Sequence, residues 1–184
     1  MLSGGATACG AEQPLDQGTP TQPPGSSQGT PSTVSDGNAS RQLSTSFELL
    51  GNPPDGIPAD VRRTLRVPVA GMNWDLARRI PVSLPGTYWL APGTGDLCIV
   101  AASPDSPAVG TVCARVDQAL RHGLANTSVD LASGQRVIVG VAPRGARTVL
   151  VRTGGSTASV RVGRDGSFVL RDSSSSPPDT LTLR

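Results

Sequence analysis

From Pro81 onward, apolar and polar positions alternate in short runs separated by Gly, Pro and Asp at intervals of roughly 8 to 12 residues, the spacing of a sandwich or barrel. The pattern predicts strands at Thr87–Ala91, Leu97–Ala102, Val109–Val116, Ser128–Leu131, Arg136–Ala142, Thr148–Arg152, Ala158–Val162, Ser167–Arg171 and Thr180–Leu183. One helical turn interrupts them at Asp117–His122, with Asp117 as its N-cap and Gly123 as the left-handed residue at its end. Ahead of Pro81 the sequence predicts two short helices. Pro58–Leu65 carries Pro at its start, and Trp74–Arg79 begins after Asn73 as N-cap and is stopped by Pro81. The expected fold class is all-β: a small antiparallel β-sandwich-like or barrel-like domain with one to three short helices, preceded by a disordered N-terminal tail.

Apolar residues return at Ser44-Thr45-Ser46-Phe47-Glu48-Leu49-Leu50, so the domain is expected over 44–184. Residues 10–43 are Gly, Pro, Ser, Thr and Gln with few large apolar side chains, and such a tether cannot bury enough surface to offset its ordering entropy. Fully extended at about 3.3 Å per residue it reaches on the order of 100 Å. The segment 1–9 ends in Ala6-Thr7-Ala8-Cys9, which resembles the lipobox of a bacterial lipoprotein signal peptide and implies lipidation at Cys9. Ala6 stands where Leu is usual, and a basic region and most of the apolar stretch are missing, so either the start lies upstream or the match is accidental.

Two hairpins are expected. Asp165-Gly166 suits a two-residue type I′ turn between Ser159–Val162 and Ser167–Leu170. A second tip at Asp105-Ser106, flanked by Pro104 and Pro107, sets Cys98 directly opposite Cys113. A non-hydrogen-bonded antiparallel pair accepts a disulfide. Two buried free thiols are the alternative, and no Cys-x-x-Cys spacing suggests redox work.

Composition narrows the function classes. Aromatic residues form only 3% of the chain, so the core must be built from Val, Leu, Ile and Ala. Every basic side chain is Arg, which looks like the codon bias of a GC-rich bacterium. The net charge of +2 is too small, and the Arg residues too scattered, to predict nucleic-acid binding. No apolar run approaches the roughly 20 residues of a spanning helix, leaving a lipid anchor as the expected route to a membrane.

Gly86-Thr87-Tyr88-Trp89-Leu90-Ala91-Pro92-Gly93, Leu97-Cys98, Gly110-Thr111-Val112-Cys113 and Val139-Gly140-Val141-Ala142-Pro143-Arg144-Gly145 resemble a group of uncharacterised secreted or lipid-anchored actinobacterial proteins. The likeness spans about residues 60–171 and rests on turns and a Cys pair. It implies export and a β fold and transfers no catalytic residue.

Chemistry is sparse. His122 is the only His, which rules out a multi-histidine metal site, and no Ser of the 44–184 domain sits in a Gly-x-Ser-x-Gly elbow. Glu occurs only at Glu12 and Glu48, and most Asp residues lie in turns. No cofactor or metal is indicated. Possible binding residues are Trp74, Tyr88 and Trp89, with Arg78 and Arg79. Tyr88 and Trp89 are adjacent on a strand, so one is expected in the core and the other exposed. The Arg pair is expected on a solvated helix face. The Asn126-Thr127-Ser128 sequon carries no weight in a bacterial chain. The leading expectation is a non-enzymatic envelope protein, lipid-anchored through Cys9 or secreted, that binds or supports a protein or glycan of the envelope. A hydrolase using His122 and an intracellular interaction module are the alternatives.

Overall fold

The computed structural model describes residues 41–65, 71–104, 109–130, 133–153, 155–172 and 178–184. Cys9, most of the proposed tether, the tip at Asp105-Ser106 and Leu131 lie outside these residues. Helical residues 41–46 (α1) lead into a 3-10 turn at Glu48–Gly51, a short helix α2 at Ala59–Thr64 and a second 3-10 turn at Trp74–Leu76. Then come β1 (Arg78–Arg79), β2 (Thr87–Pro92), β3 (Asp96–Ala102), β4 (Val109–Arg115), α3 (Val116–His122) and β5 (Leu124–Val129). The chain ends with β6 (Arg136–Val141), β7 (Thr148–Thr153), β8 (Ser156–Arg161), β9 (Ser167–Asp172) and β10 (Pro178–Leu183). The fold is all-β and sandwich-like, with every strand pairing antiparallel.

The strands form three sheets, in the orders β1-β2-β3-β4, β5-β6-β9 and β10-β7-β8. The period-2 alternation of side chains shows how they stack. On β3, Leu97 and Ile99 point into one cluster with Val137, Val139 and Val141 of β6, while Val100 points the other way to Trp89, Ile57 and Ala77. On β6 the intervening Ile138 packs with Val149 and Val151 of β7 and with Phe168 of β9. The β5-β6-β9 sheet is therefore the middle layer, with the first sheet on one face and the third on the other. A central strand covered on both faces reads as a continuous apolar run, which is what Val137-Ile138-Val139-Gly140-Val141 is.

Gly140 fits this position because it faces Phe168 across the β6–β9 ladder. A Cβ there would collide with the Phe168 ring and come within 2.8 Å of the Leu124 carbonyl oxygen. The ring thus fills the space a side chain would have taken.

The outer face of the first sheet is covered by the segment before it. Ile57, Val61 and Leu65 around α2, together with Met72, Trp74 and Ala77, pack on Trp89, Ala91 and Val100. Leu43, Phe47, Leu49 and Leu50 instead enter the core between the first two sheets, and Arg144 ties them down, its backbone amide donating a hydrogen bond to the Ser46 carbonyl and its guanidinium forming an ion pair with Glu48 at 2.8 Å.

Several local expectations are corrected. Leu43 is 1% exposed within the core, so packed structure begins before residue 44. The fourth expected strand starts at Leu124 rather than Ser128, because Gly123 (φ 71°) turns the chain straight from α3 into β5. Arg115, not Asp117, is the N-cap of α3, and it makes no side-chain capping bond. Trp74–Arg79 is not one helix. Asn73 does cap its start by accepting from the Leu76 amide, but only a 3-10 turn forms, and Arg78-Arg79 extend to pair with Leu90 and Trp89.

The hairpin at Asp165-Gly166 is also revised. A tight turn is present, with Gly166 N donating to the Gly163 carbonyl and Asp165 Oδ1 accepting from the Ser167 amide. Its flanking strands nevertheless diverge, β8 to β7 and β9 to β6, so the turn carries the chain from the outer sheet to the middle one.

Candidate functional site

The disulfide joins Cys98 and Cys113, which face each other across the β3–β4 ladder with Cα atoms 4.1 Å apart. It staples an edge strand, since among the described residues no strand pairs with β4 on its other side. Cys98 is fully buried with its Sγ 3.6 Å from Met72 Sδ, whereas Cys113 is exposed.

The other candidate residues prove mainly architectural. Tyr88 and Trp89 do point to opposite faces, yet both are 6% exposed, because both faces of the sheet are covered. The expected exposed aromatic is therefore corrected to a second core residue. Trp74 is half-buried against Trp89. Arg78 is a clamp rather than a solvated helix residue: its guanidinium donates to the carbonyls of Asn52 (2.7 Å), Leu50 (3.3 Å) and Leu76. Burial pulls its pKa below the ordinary value, with Asp55 partly opposing. Arg79 is exposed, and its amide donates to Asp55 Oδ2 at 2.8 Å.

His122 is exposed at the end of α3, beside a shallow groove formed with Thr180–Leu183. Among the described residues no hydroxyl or carboxylate hydrogen-bonds to it. Asp117, one turn away, is committed to Arg121 at 2.9 Å. That hydrogen bond, with the Arg121 and Arg115 charges, holds the Asp117 carboxyl below the usual carboxylate range. The arrangement that would activate a nucleophile is not assembled around this imidazole.

A different place gathers polar groups. The inner face of β5 runs Leu124, Asn126, Ser128 and on to Asp130, so it begins in the core and becomes polar while still facing the first sheet. Opposite it that sheet presents Tyr88, Ala101 and Gly110, adjacent on β2, β3 and β4. Two small residues beside a polar strand leave the layers unfilled, and a cleft of about 280 Å³ results. That is near the lower end of the roughly 300–1,000 Å³ typical of small-molecule pockets.

The floor of the cleft is buried and its rim is open. Tyr88, Asn126 and Val137 line the bottom, and Pro85, Ser103 and Val129 stand exposed at the edge. Tyr88 Oη and Ser128 Oγ lie 3.3 Å apart. The Asp130 carboxylate, its side chain 15% exposed, accepts from Ser133 Oγ at 2.9 Å and lies 3.7 Å from Arg171 Nη1. Asn126 is 4% exposed, and its carboxamide has no hydrogen-bond partner among the described residues.

Of these cleft residues only Tyr88 was singled out from the sequence as a possible binding group; Asn126, Ser128 and Asp130 were not. The available signal was three polar residues at alternate positions, Asn126, Ser128 and Asp130, following Leu124 in phase. The late placement of the strand hid that alternation. Among the described residues no group of His, Cys, Asp and Glu is arranged to hold a metal ion. Compared with family models, curated proteins and solved structures, the chain matches none of them, so the reading of this site rests on its own geometry.

Proposed function

We propose that this chain is an exported envelope protein, anchored through a lipid on Cys9, whose all-β domain serves as a non-enzymatic binding module. The observation that carries export is the Cys98–Cys113 disulfide across an edge strand, because such structural bridges persist in oxidising compartments and are rare in the cytosol. The lipobox-like Ala6-Thr7-Ala8-Cys9 and the polar stretch after it agree with a domain held away from a membrane surface. Binding is supported by the cleft between β2–β4 and β5, with its buried floor and the Asn126 carboxamide that lines it. The resemblance to secreted actinobacterial proteins points the same way.

Intact-mass analysis of the protein recovered from membrane and soluble fractions of its own cells, with and without reductant, tests this reading. Lipid mass on Cys9 in the membrane fraction, with a gain of two protons on reduction, is the expected result. An unmodified terminus with free thiols in the soluble fraction overturns it and favours an intracellular interaction module.

A further inference from the structure

The geometry points to a neutral saccharide unit as the ligand of the β2–β5 cleft, held by Asn126, Ser128, Tyr88 and Asp130; this inference rests on the reading of the domain as a binding module. The space comes first. Ala101 and Gly110 are cross-strand partners, and a Cβ built on Gly110 would meet nothing nearer than Asn126 Nδ2 at 3.9 Å. The Gly110 position thus opens onto the Asn126 amide, and the volume suits one ring-sized unit rather than an extended chain.

The chemistry of the walls then excludes other ligand classes. An anion would find no cationic side chain among the described residues lining the cleft and would face the Asp130 carboxylate. A cation would compete with Arg171, which already meets the charge of that carboxylate. A wholly apolar ligand would seal the Asn126 carboxamide and the Tyr88–Ser128 hydroxyl pair away from water without giving them partners. A polyhydroxylated neutral ring avoids all three conflicts. Its hydroxyls both donate and accept, matching a carboxamide that offers one acceptor and two donor hydrogens, two hydroxyls and a carboxylate. Its C–H face suits the apolar wall of Leu84, Pro85, Ala101 and Val137.

Titration of the full ¹⁵N-labelled chain with methyl glycosides of glucose, mannose, galactose, arabinose and N-acetylglucosamine tests the assignment by amide and Asn side-chain shifts. At least one glycoside is expected to shift the Asn126 side-chain NH₂ together with the Gly110 and Ser128 amides, saturably at millimolar concentration. Gly110→Leu, which fills the cleft, and Asn126→Leu, which removes its central amide, each weaken that binding at least tenfold while the remaining spectrum stays folded. Equal binding by the wild type and both variants overturns the site. Octanol and ethanolammonium are run alongside. If either shifts the cleft resonances and no glycoside does, the saccharide assignment fails while the binding module stands. If no probe of any class moves them, both fail.

Discussion

Gly140→Ala is the sharpest test of the three-layer packing. The added methyl group lies on the face of β6 that looks toward the third sheet, where it meets the Phe168 ring, itself only 3% exposed, and the Leu124 carbonyl oxygen at 2.8 Å. Overpacking of this kind costs about 1–3 kcal/mol, and the smaller backbone entropy of Ala in the unfolded chain returns about 0.4–1 kcal/mol. The net expectation is a loss of about 1–2 kcal/mol, or about 4–8 °C in Tm.

The cause can be separated from a general intolerance at this position. Phe168→Leu removes the ring and is itself destabilising, but it vacates the space the methyl group needs. In the double variant the clash with the ring disappears and only the contact with the Leu124 carbonyl remains. The two changes should therefore couple favourably by about 1 kcal/mol in a double-mutant cycle measured by urea unfolding. Additive single effects, or a Gly140→Ala variant as stable as the wild type, would refute the placement of Phe168 across Gly140 and with it the packing of the middle sheet.

Reducing the Cys98–Cys113 bridge, whose partners lie 15 positions apart, should lower stability by about 3 kcal/mol on the chain-entropy estimate, read as a fall in urea midpoint with dithiothreitol. Among the described residues Thr111 Oγ1 is buried without a partner, so Thr111→Val should stabilise the domain by about 0.5–1 kcal/mol, read as a higher urea midpoint. Asp117 titrates below its unfolded value, so its contribution is complete above the ordinary carboxylate range and is lost as pH falls through the depressed native value. The Tm of Asp117→Asn should therefore lie slightly below that of the wild type near neutrality and converge with it in acid. A gap that widens in acid would contradict the ion pair with Arg121.

Much of the fold was legible because its strands are short, alternating and bounded by Gly, Pro and Asp. The facing of Cys98 and Cys113 followed from the register of one hairpin. What escaped depended on distant partners. Trp89 is buried because α2 and the turn at Trp74 lie over it, and nothing within Tyr88-Trp89 announces that cover. Arg78-Arg79 has helical company in the sequence, but pairing with β2 and the carbonyls of Leu50 and Asn52 draws it into a strand. The Asp165-Gly166 turn was visible, yet which sheet each flanking strand joins is decided by Val151 and Ile138 in other layers. The cleft was missed for a related reason. Asn and Ala are poor strand formers, so Leu124-Ala125-Asn126 did not read as strand, although Gly123 before it and the β6 ladder beside it make it one.

The disulfide and the cleft are linked through register. Cys98 and Cys113 project to the outer face of the first sheet, whereas Ala101 and Gly110, three pairs along the same ladder, project inward. Because side chains alternate, a one-residue slip of β4 would turn Val109 or Thr111 toward Asn126 and fill the space that Gly110 leaves. An edge strand has only one neighbour to resist such a slip, and the bridge fixes that neighbour. Reduction should consequently weaken glycoside binding more than a bridge with a purely global role would allow, and should do so under conditions where the domain is still folded. Titration of the oxidised and the reduced, alkylated protein well below the unfolding midpoint measures this. Identical affinities in the two forms would mean that the β3–β4 ladder holds Gly110 in place without help, and that the bridge contributes to stability alone.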